Sequence, residues 1–156
     1  MKTTKQKELL SIKITKLFIV ILAVITAIMS YYGPTIVRFV MIVKTPMLPD
    51  VVRFWVLLVA GYICASLFLV FLYLLFKLVG RIEKGEVFVD ENVNALSTLS
   101  NLVLVACFIT FAVSLTCDYL TFVLTVATAF VTPVIRVVKN AFSKAVEMKN
   151  ELDLTV

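Results

Sequence analysis

Four long tracts of this chain carry no charged side chain: Leu17 to Val37, Phe54 to Phe76, Asn92 to Cys117 and Tyr119 to Ile135, of 21, 23, 26 and 17 residues. A helix needs about 20 predominantly apolar residues to cross the hydrocarbon core of a bilayer, so each tract has the length of one crossing. Backbone polar groups find no water there, and a helix satisfies them within the segment. The chain is therefore read as an all-α integral membrane protein, a single membrane domain over residues 1–156. Its four transmembrane helices are expected at about 15–32, 54–77, 97–117 and 119–138, with a cytoplasmic C-terminal amphipathic extension at about 139–151. Apolar residues make up 62% and charged residues 16% of the whole, against roughly 45–50% and 25% in soluble domains. The solvent such a composition calls for is lipid.

The punctuation of the tracts sets their ends. Gly33-Pro34 is expected to break or kink the first span after Tyr31-Tyr32, two rings suited to a membrane interface. The apolar run before Gly33 is long and shows no convincing small-x-small cleavage pattern, so it is read as a retained helix. From Gly33 to Val52, Pro34, Pro46 and Pro49 flank the apolar run Ile36 to Val43, which is expected to lie on the outer membrane surface. Arg81 to Asp90 forms a short polar connection in which Gly85 permits a turn and Asp90 caps a helix that begins at Glu91. Only Asp118 separates the last two tracts, which implies a tight hairpin turning around Cys117 to Leu120.

Basic flanks resist translocation, so Lys and Arg set the orientation. Lys2, Lys5, Lys7, Lys13, Lys16, Lys77, Arg81, Lys84, Arg136, Lys139, Lys144 and Lys149 fall on one side, and only Arg38, Lys44 and Arg53 on the other. Both termini and the middle connection are accordingly expected in the cytoplasm, across a bacterial cytoplasmic membrane. The net charge of +5 is the footprint of that orientation rather than of direct nucleic-acid binding, because no basic patch gathers on a soluble domain.

Candidate chemistry is sparse. There is no His, and Cys64, Cys107 and Cys117 include no C-x-x-C pair, so they read as small packing residues. No ionisable residue falls deep within a tract, and Asp118 sits at a turn. A membrane hydrolase would need a Ser with His or Lys, paired aspartates or a metal set. No enzymatic activity and no cofactor are therefore expected.

Two hydroxyl stripes stand out instead. Thr121, Thr125, Thr128 and Thr132 recur at helical spacing, as do Cys107, Thr110, Ser114 and Cys117, and the two faces are expected to meet across the hairpin. Close helix packing is the simpler reading, and a polar pathway for a small solute the sharper one. Small residues at Ala23, Ala27 and Ser30, and at Gly61 and Ala65, leave a homo-oligomer open. Past Pro133, Val134, Val138, Ala141, Phe142, Ala145 and Val146 form one apolar stripe that can rest on the membrane, pack on the inner connection or receive a partner.

The segment Arg81-Ile82-Glu83-Lys84-Gly85-Glu86-Val87-Phe88, followed by Glu91-Asn92-Val93 and Leu96, resembles the "KG..F...N...L" signature between the second and third spans of bacterial membrane proteins of domain-of-unknown-function family 2975. The closing stretch Ala145 to Val156 is similar to that family's terminal amphipathic helix with its "DLT" ending, here Asp153-Leu154-Thr155. Leu152 departs from the polar residue expected before the final Asp, and the N-terminal half matches in hydrophobicity only. The resemblance implies no activity and carries over no functional residue. Its members are often encoded beside a small helix-turn-helix regulator, which implies a cytoplasmic regulatory partner that the membrane protein holds or signals to. On this reading the partner surface comprises Lys84, Gly85, Phe88, Glu91, Asn92, Phe142 and Asp153, with Asn92 pinning the connection to the terminal helix. The alternative is a small transporter subunit or a bacteriocin immunity protein, working through the stripe Thr110, Ser114, Thr121, Thr125, Thr128 and Thr132 or through the outer loop.

Overall fold

The computed structural model describes the backbone of residues 2–42, 48–117 and 120–154, and the side chains of residues 9–42, 48–117 and 120–152. Among the described residues there are five helices and no strand: α1 (Lys2–Tyr31), α2 (Gly33–Val40), α3 (Asp50–Glu83), α4 (Asp90–Thr116) and α5 (Thr121–Leu154). All but α2 are long and apolar enough to cross a membrane. At about 1.5 Å per residue α3 runs to roughly 50 Å, well beyond a hydrocarbon core of about 30 Å. Its ends therefore reach the headgroup layers. The chain is a multi-pass membrane protein of four spanning helices.

The helices pack in the order α1, α3, α4, α5, with α2 lying against α3 beside α1. The α4–α5 pair is the most extensive contact. Large apolar side chains such as Leu17, Phe18, Phe108, Phe130 and Val137 point outward, as lipid as solvent requires. Among the described residues an apolar core of buried side chains, Leu78, Leu96 and Leu99 with Phe71, Leu74, Leu75, Ile82, Ile135 and Phe142 packed around it, sits at the end of the bundle where α3 passes into α4.

The expected break at Gly33-Pro34 is present, and it is a clean restart. Tyr32 lies in a turn, Pro34 stands in the first turn of α2 where a missing N–H costs nothing, and Thr35 and Ile36 both donate to the Tyr32 carbonyl. A Cβ at position 33 would stand 3.1 Å from the Tyr62 Oη. Glycine thus lets α2 close onto α3. This corrects the picture of a proline-flanked surface loop over the whole of Gly33 to Val52: residues 33–40 are helical and α3 already begins at Asp50, while residues 43–47, with Lys44 and Pro46, lie outside those described.

A second correction concerns the start of α4. Val89, extended at φ −135° and ψ 148°, is the N-cap residue and makes no side-chain cap bond, and Asp90 is the first helical residue. Asp90 and Glu91 instead place two carboxylates in the first turn, where the helix dipole favours them. At the other end of the chain α5 continues through Pro133 without interruption to Leu154. Its apolar stripe divides: Phe142 and Ala145 are half-buried and Val146 buried, whereas Val134 and Val138 face outward, because Ile135 rather than its neighbours turns toward the core.

Candidate functional site

The residues that connect α3 to α4 are fixed by backbone geometry first. Gly85 adopts φ +84°, a left-handed conformation that side-chain-bearing residues avoid. With it, the Gly85 N–H reaches the Ile82 carbonyl and the Glu86 N–H the Arg81 carbonyl, at 3.0 and 3.1 Å. These are the paired bonds of a Schellman motif, which satisfy the last carbonyls of α3 and turn the chain back on itself. Lys84 and Gly85 are thus a helix stop before they are anything else.

Asn92 then holds the turned chain. Its Nδ2 donates to the carbonyls of Glu86 and Val87, both at 2.8 Å, and its Oδ1 accepts from Arg81 Nη1 at 3.4 Å. The side chain is wholly buried, at 0% exposure. One amide therefore ties α4, the connection and the end of α3 together. This corrects the expected role of Asn92: it pins the connection to itself and to α3, not to the terminal helix, and being buried it supports a surface without forming part of one. The link to the terminal helix is made by Phe88, whose ring lies 6.1 Å from that of Phe142 on α5 at an interplanar angle of 49°. One turn beyond Asn92, Leu96 enters the core with Leu78 and Leu99. Gly85, Phe88, Asn92 and Leu96 of the "KG..F...N...L" segment consequently each have a mechanical reason.

What remains outward is a compact polar surface. Lys84, Gly85, Glu86, Phe88, Asp90 and Glu91 are exposed, with Phe142 half-buried behind them. Phe88 keeps 46% of its surface accessible despite its contact with Phe142. Asp153, the last residue of the expected surface, has a side chain outside those described. On the flank, Lys16 of α1 pairs with Glu83 and places its ammonium 5.4 Å from the centroid of the Phe76 ring. The hydrogen bond from Lys16 and its charge hold the Glu83 carboxyl below its ordinary value. Neither partner was separable in the sequence from the other flanking charges.

The hydroxyl stripes lie along the contact between α4 and α5. Ser114, Thr125 and Thr132 are buried, and Thr110, Thr121 and Thr128 half-buried. The hydroxyls donate along their own helices: Thr110 to Ala106, Ser114 to Phe111, Thr125 to Thr121, Thr128 to Leu124 and Thr132 to Thr128. From one stripe to the other, Cys107 Sγ donates to the Thr125 carbonyl at 3.7 Å. Thr110 and Thr128 also border an apolar crevice of about 410 Å³, walled by Cys64, Phe68 and Phe71 of α3.

At the far end of the bundle, sequence reasoning missed Arg53. Counted there as one of three flanking cations, it is in fact 1% exposed, and its Nε donates at 2.8 Å to the carbonyl of Cys117 at the C-cap of α4. A cation at the end of a helix completes the carbonyls left there and complements the dipole. The available signal was positional: Arg53 occupies the first turn of a span whose apolar tract starts at the next residue.

A family model described as "Protein of unknown function (DUF2975)" matches residues 47–156, the whole of α3, α4 and α5. No curated protein and no solved structure matches the chain.

Proposed function

The chain belongs to the DUF2975 family, and from that premise we propose that it is a non-enzymatic protein of the bacterial cytoplasmic membrane that acts through its inner face, holding or signalling to a cytoplasmic partner such as a helix-turn-helix regulator. The observation that carries this reading is the joining of its two polar segments. The connection Lys84 to Val89 and the helix α5 are far apart in sequence, yet Phe88 and Phe142 bring them together over the apolar core. A folded contact surface results, with an exposed aromatic ring among charges of both signs, a composition suited to protein contact.

Orientation is part of the proposal. Lys13 and Lys16 on α1, Arg81 and Lys84 at the end of α3, and Arg136 and Lys139 on α5 belong to the same half of the bundle, since Lys16 pairs with Glu83 and Arg136 with Ser100 in the N-terminal half of α4. Positively charged flanks stay inside. The absence of histidine from the sequence supports a non-enzymatic role. The transporter reading draws less support, since the hydroxyls of Thr110, Ser114, Thr125, Thr128 and Thr132 are engaged with carbonyls of their own helices.

Two experiments test the proposal in sequence. Single-cysteine variants at Lys84, Thr45 and Asn150, on a background without native cysteines, are labelled in intact cells with an impermeant reagent; label at position 45 alone is expected, and label at 84 or 150 refutes the orientation. A photo-crosslinking residue at Phe88 or Glu91 is then expected to capture a cytoplasmic protein that deletion of residues 140–156 releases. A partner retained in full by that deletion removes α5 from the surface.

A further inference from the structure

Between α4 and α5, on the flank of the bundle, six polar side chains line a cavity of about 300 Å³: Ser97, Ser100 and Asn101 from α4, and Arg136, Lys139 and Asn140 from α5. Each helix contributes residues at i, i+3 and i+4, the spacing that places three side chains on one face. The two triplets face each other. The set contains two cations, two amides, two hydroxyls and no carboxylate. Among the described residues no carboxylate lies within ion-pair distance of Arg136 or Lys139, so the cavity carries uncompensated positive charge.

The guanidinium is also held in place. Arg136 Nε donates to Ser100 Oγ at 3.2 Å, and Ser100 is 2% exposed. A buried hydroxyl thus fixes one edge of an otherwise exposed guanidinium at the cavity. A planar guanidinium presents paired donors that match phosphate oxygens, and a nearby ammonium adds a point charge. Asn101, Asn140 and Ser97 supply further N–H and O–H donors.

Depth identifies the source of the anion. Arg136 is the first charged residue after the apolar tract that ends at Ile135, and Lys139 follows one turn later. That is the level at which hydrocarbon gives way to headgroups, and basic pockets between spanning helices are known to hold anionic headgroups there. At about 300 Å³ the cavity is large enough for a phosphodiester. We propose that this α4–α5 pocket is a phosphate-binding site, occupied by the headgroup of an anionic phospholipid. It depends neither on the partner surface proposed above nor on which leaflet it faces.

The test uses the full-length protein, delipidated in a mild neutral detergent, and titrates phosphatidylglycerol, phosphatidylcholine or inorganic phosphate while bound lipid is counted by native mass spectrometry and melting temperature is followed. Phosphatidylglycerol is expected to bind and to raise the melting temperature, phosphatidylcholine to do so far less. Arg136→Gln with Lys139→Gln is expected to weaken phosphatidylglycerol by about tenfold, the scale of one charge-assisted hydrogen bond. Lys149→Gln, an exposed cation elsewhere on α5, is expected to leave it unchanged. Should the double variant not fold, Arg136→Lys, which keeps the charge and loses the paired donors, is expected to give an intermediate affinity. Saturable binding of inorganic phosphate, lost in the same variants and matched by no preference for phosphatidylglycerol, keeps the site and assigns it to a soluble phosphate compound. Equal binding of the two lipids by wild type and variants, with no effect of phosphate, overturns the proposal.

Discussion

Among the described side chains from residue 9 to residue 42, Ile19 alone is buried, whereas α4 by itself buries Asn92, Leu96, Leu99, Ser100, Val113 and Ser114. The family match begins at residue 47, at the border between these regions. Both are rich in apolar side chains, so apolarity is not what separates them. Lipid solvates a leucine as well as another helix does, and helices in a bilayer associate through close packing and polar contacts instead. The region from α3 to α5 has both: a Schellman turn, a buried amide, a small core and hydroxyl-bearing helix faces. For α1 the corresponding attachments are Ile19 and the Lys16–Glu83 pair. The comparison teaches that the part of this chain that the family model matches is the three-helix part, α3 to α5, and that the described part of α1 joins it with a single buried side chain.

The largest effect that bears on this contrast is expected at Asn92. Asn92→Ala deletes both amide bonds to Glu86 and Val87 and leaves two carbonyls and Arg81 without that partner. A loss of about 3 kcal/mol follows at the upper end for buried hydrogen-bonding groups, read as a lowered melting temperature in detergent micelles together with faster protease cleavage at residues 84–89. A variant as stable as wild type would mean that the Schellman turn alone holds the connection. Next comes Leu99→Ala, which opens a cavity at a site 2% exposed. The transfer term is weak in lipid, so the lost contacts set the cost, at about 2 kcal/mol in the same melting experiment.

How far these regions could be read from the sequence differs in the same way. The four spans, the break at Gly33-Pro34 and the turn at Gly85 were legible, because charge-free length, a Pro-Gly pair and a helix-ending glycine are local signals. The roles of Asn92 and Arg53 were not. An asparagine near a helix start and an arginine at a span end look alike whether they face water or are buried; only the partner in space decides, and for Arg53 that partner lies 64 residues away. The outward turn of Val134 and Val138 escaped for a related reason. A stripe on a helical wheel does not state where its neighbour ends.

The ion pair offers a smaller effect and a sign. Glu83 titrates below its ordinary value because Lys16 binds and attracts its charged form. The stabilisation is therefore present above the carboxylate's unfolded value, about 4.3, and is lost as pH falls through the lowered value in the folded protein. The labelling rate of a cysteine placed at Ile19, divided at each pH by that of a cysteine at the exposed Leu17, is expected to rise on acidification through that window and to be high throughout in Glu83→Gln. A labelling rate independent of both would show that α1 is held by something other than this pair.

The smallest effect is expected at Phe18, and it tests the contrast most sharply because its neighbour Ile19 is 4% exposed while Phe18 itself is 60% exposed. If α1 meets only lipid on that side, exchanging a ring for a methyl trades one apolar surroundings for another. Phe18→Ala should then change stability by no more than about 0.5 kcal/mol, the range of substitutions that touch no packed feature, while Ile19→Ala, which removes the one buried side chain among those described in α1, should cost measurably more. Both are read by melting in the same micelles, with the mass of the particle followed alongside. A loss at Phe18 comparable with that at Ile19, and dependent on protein concentration, would mean that a second copy covers this face. α1 would then be an interface between copies, with α3 to α5 behind it.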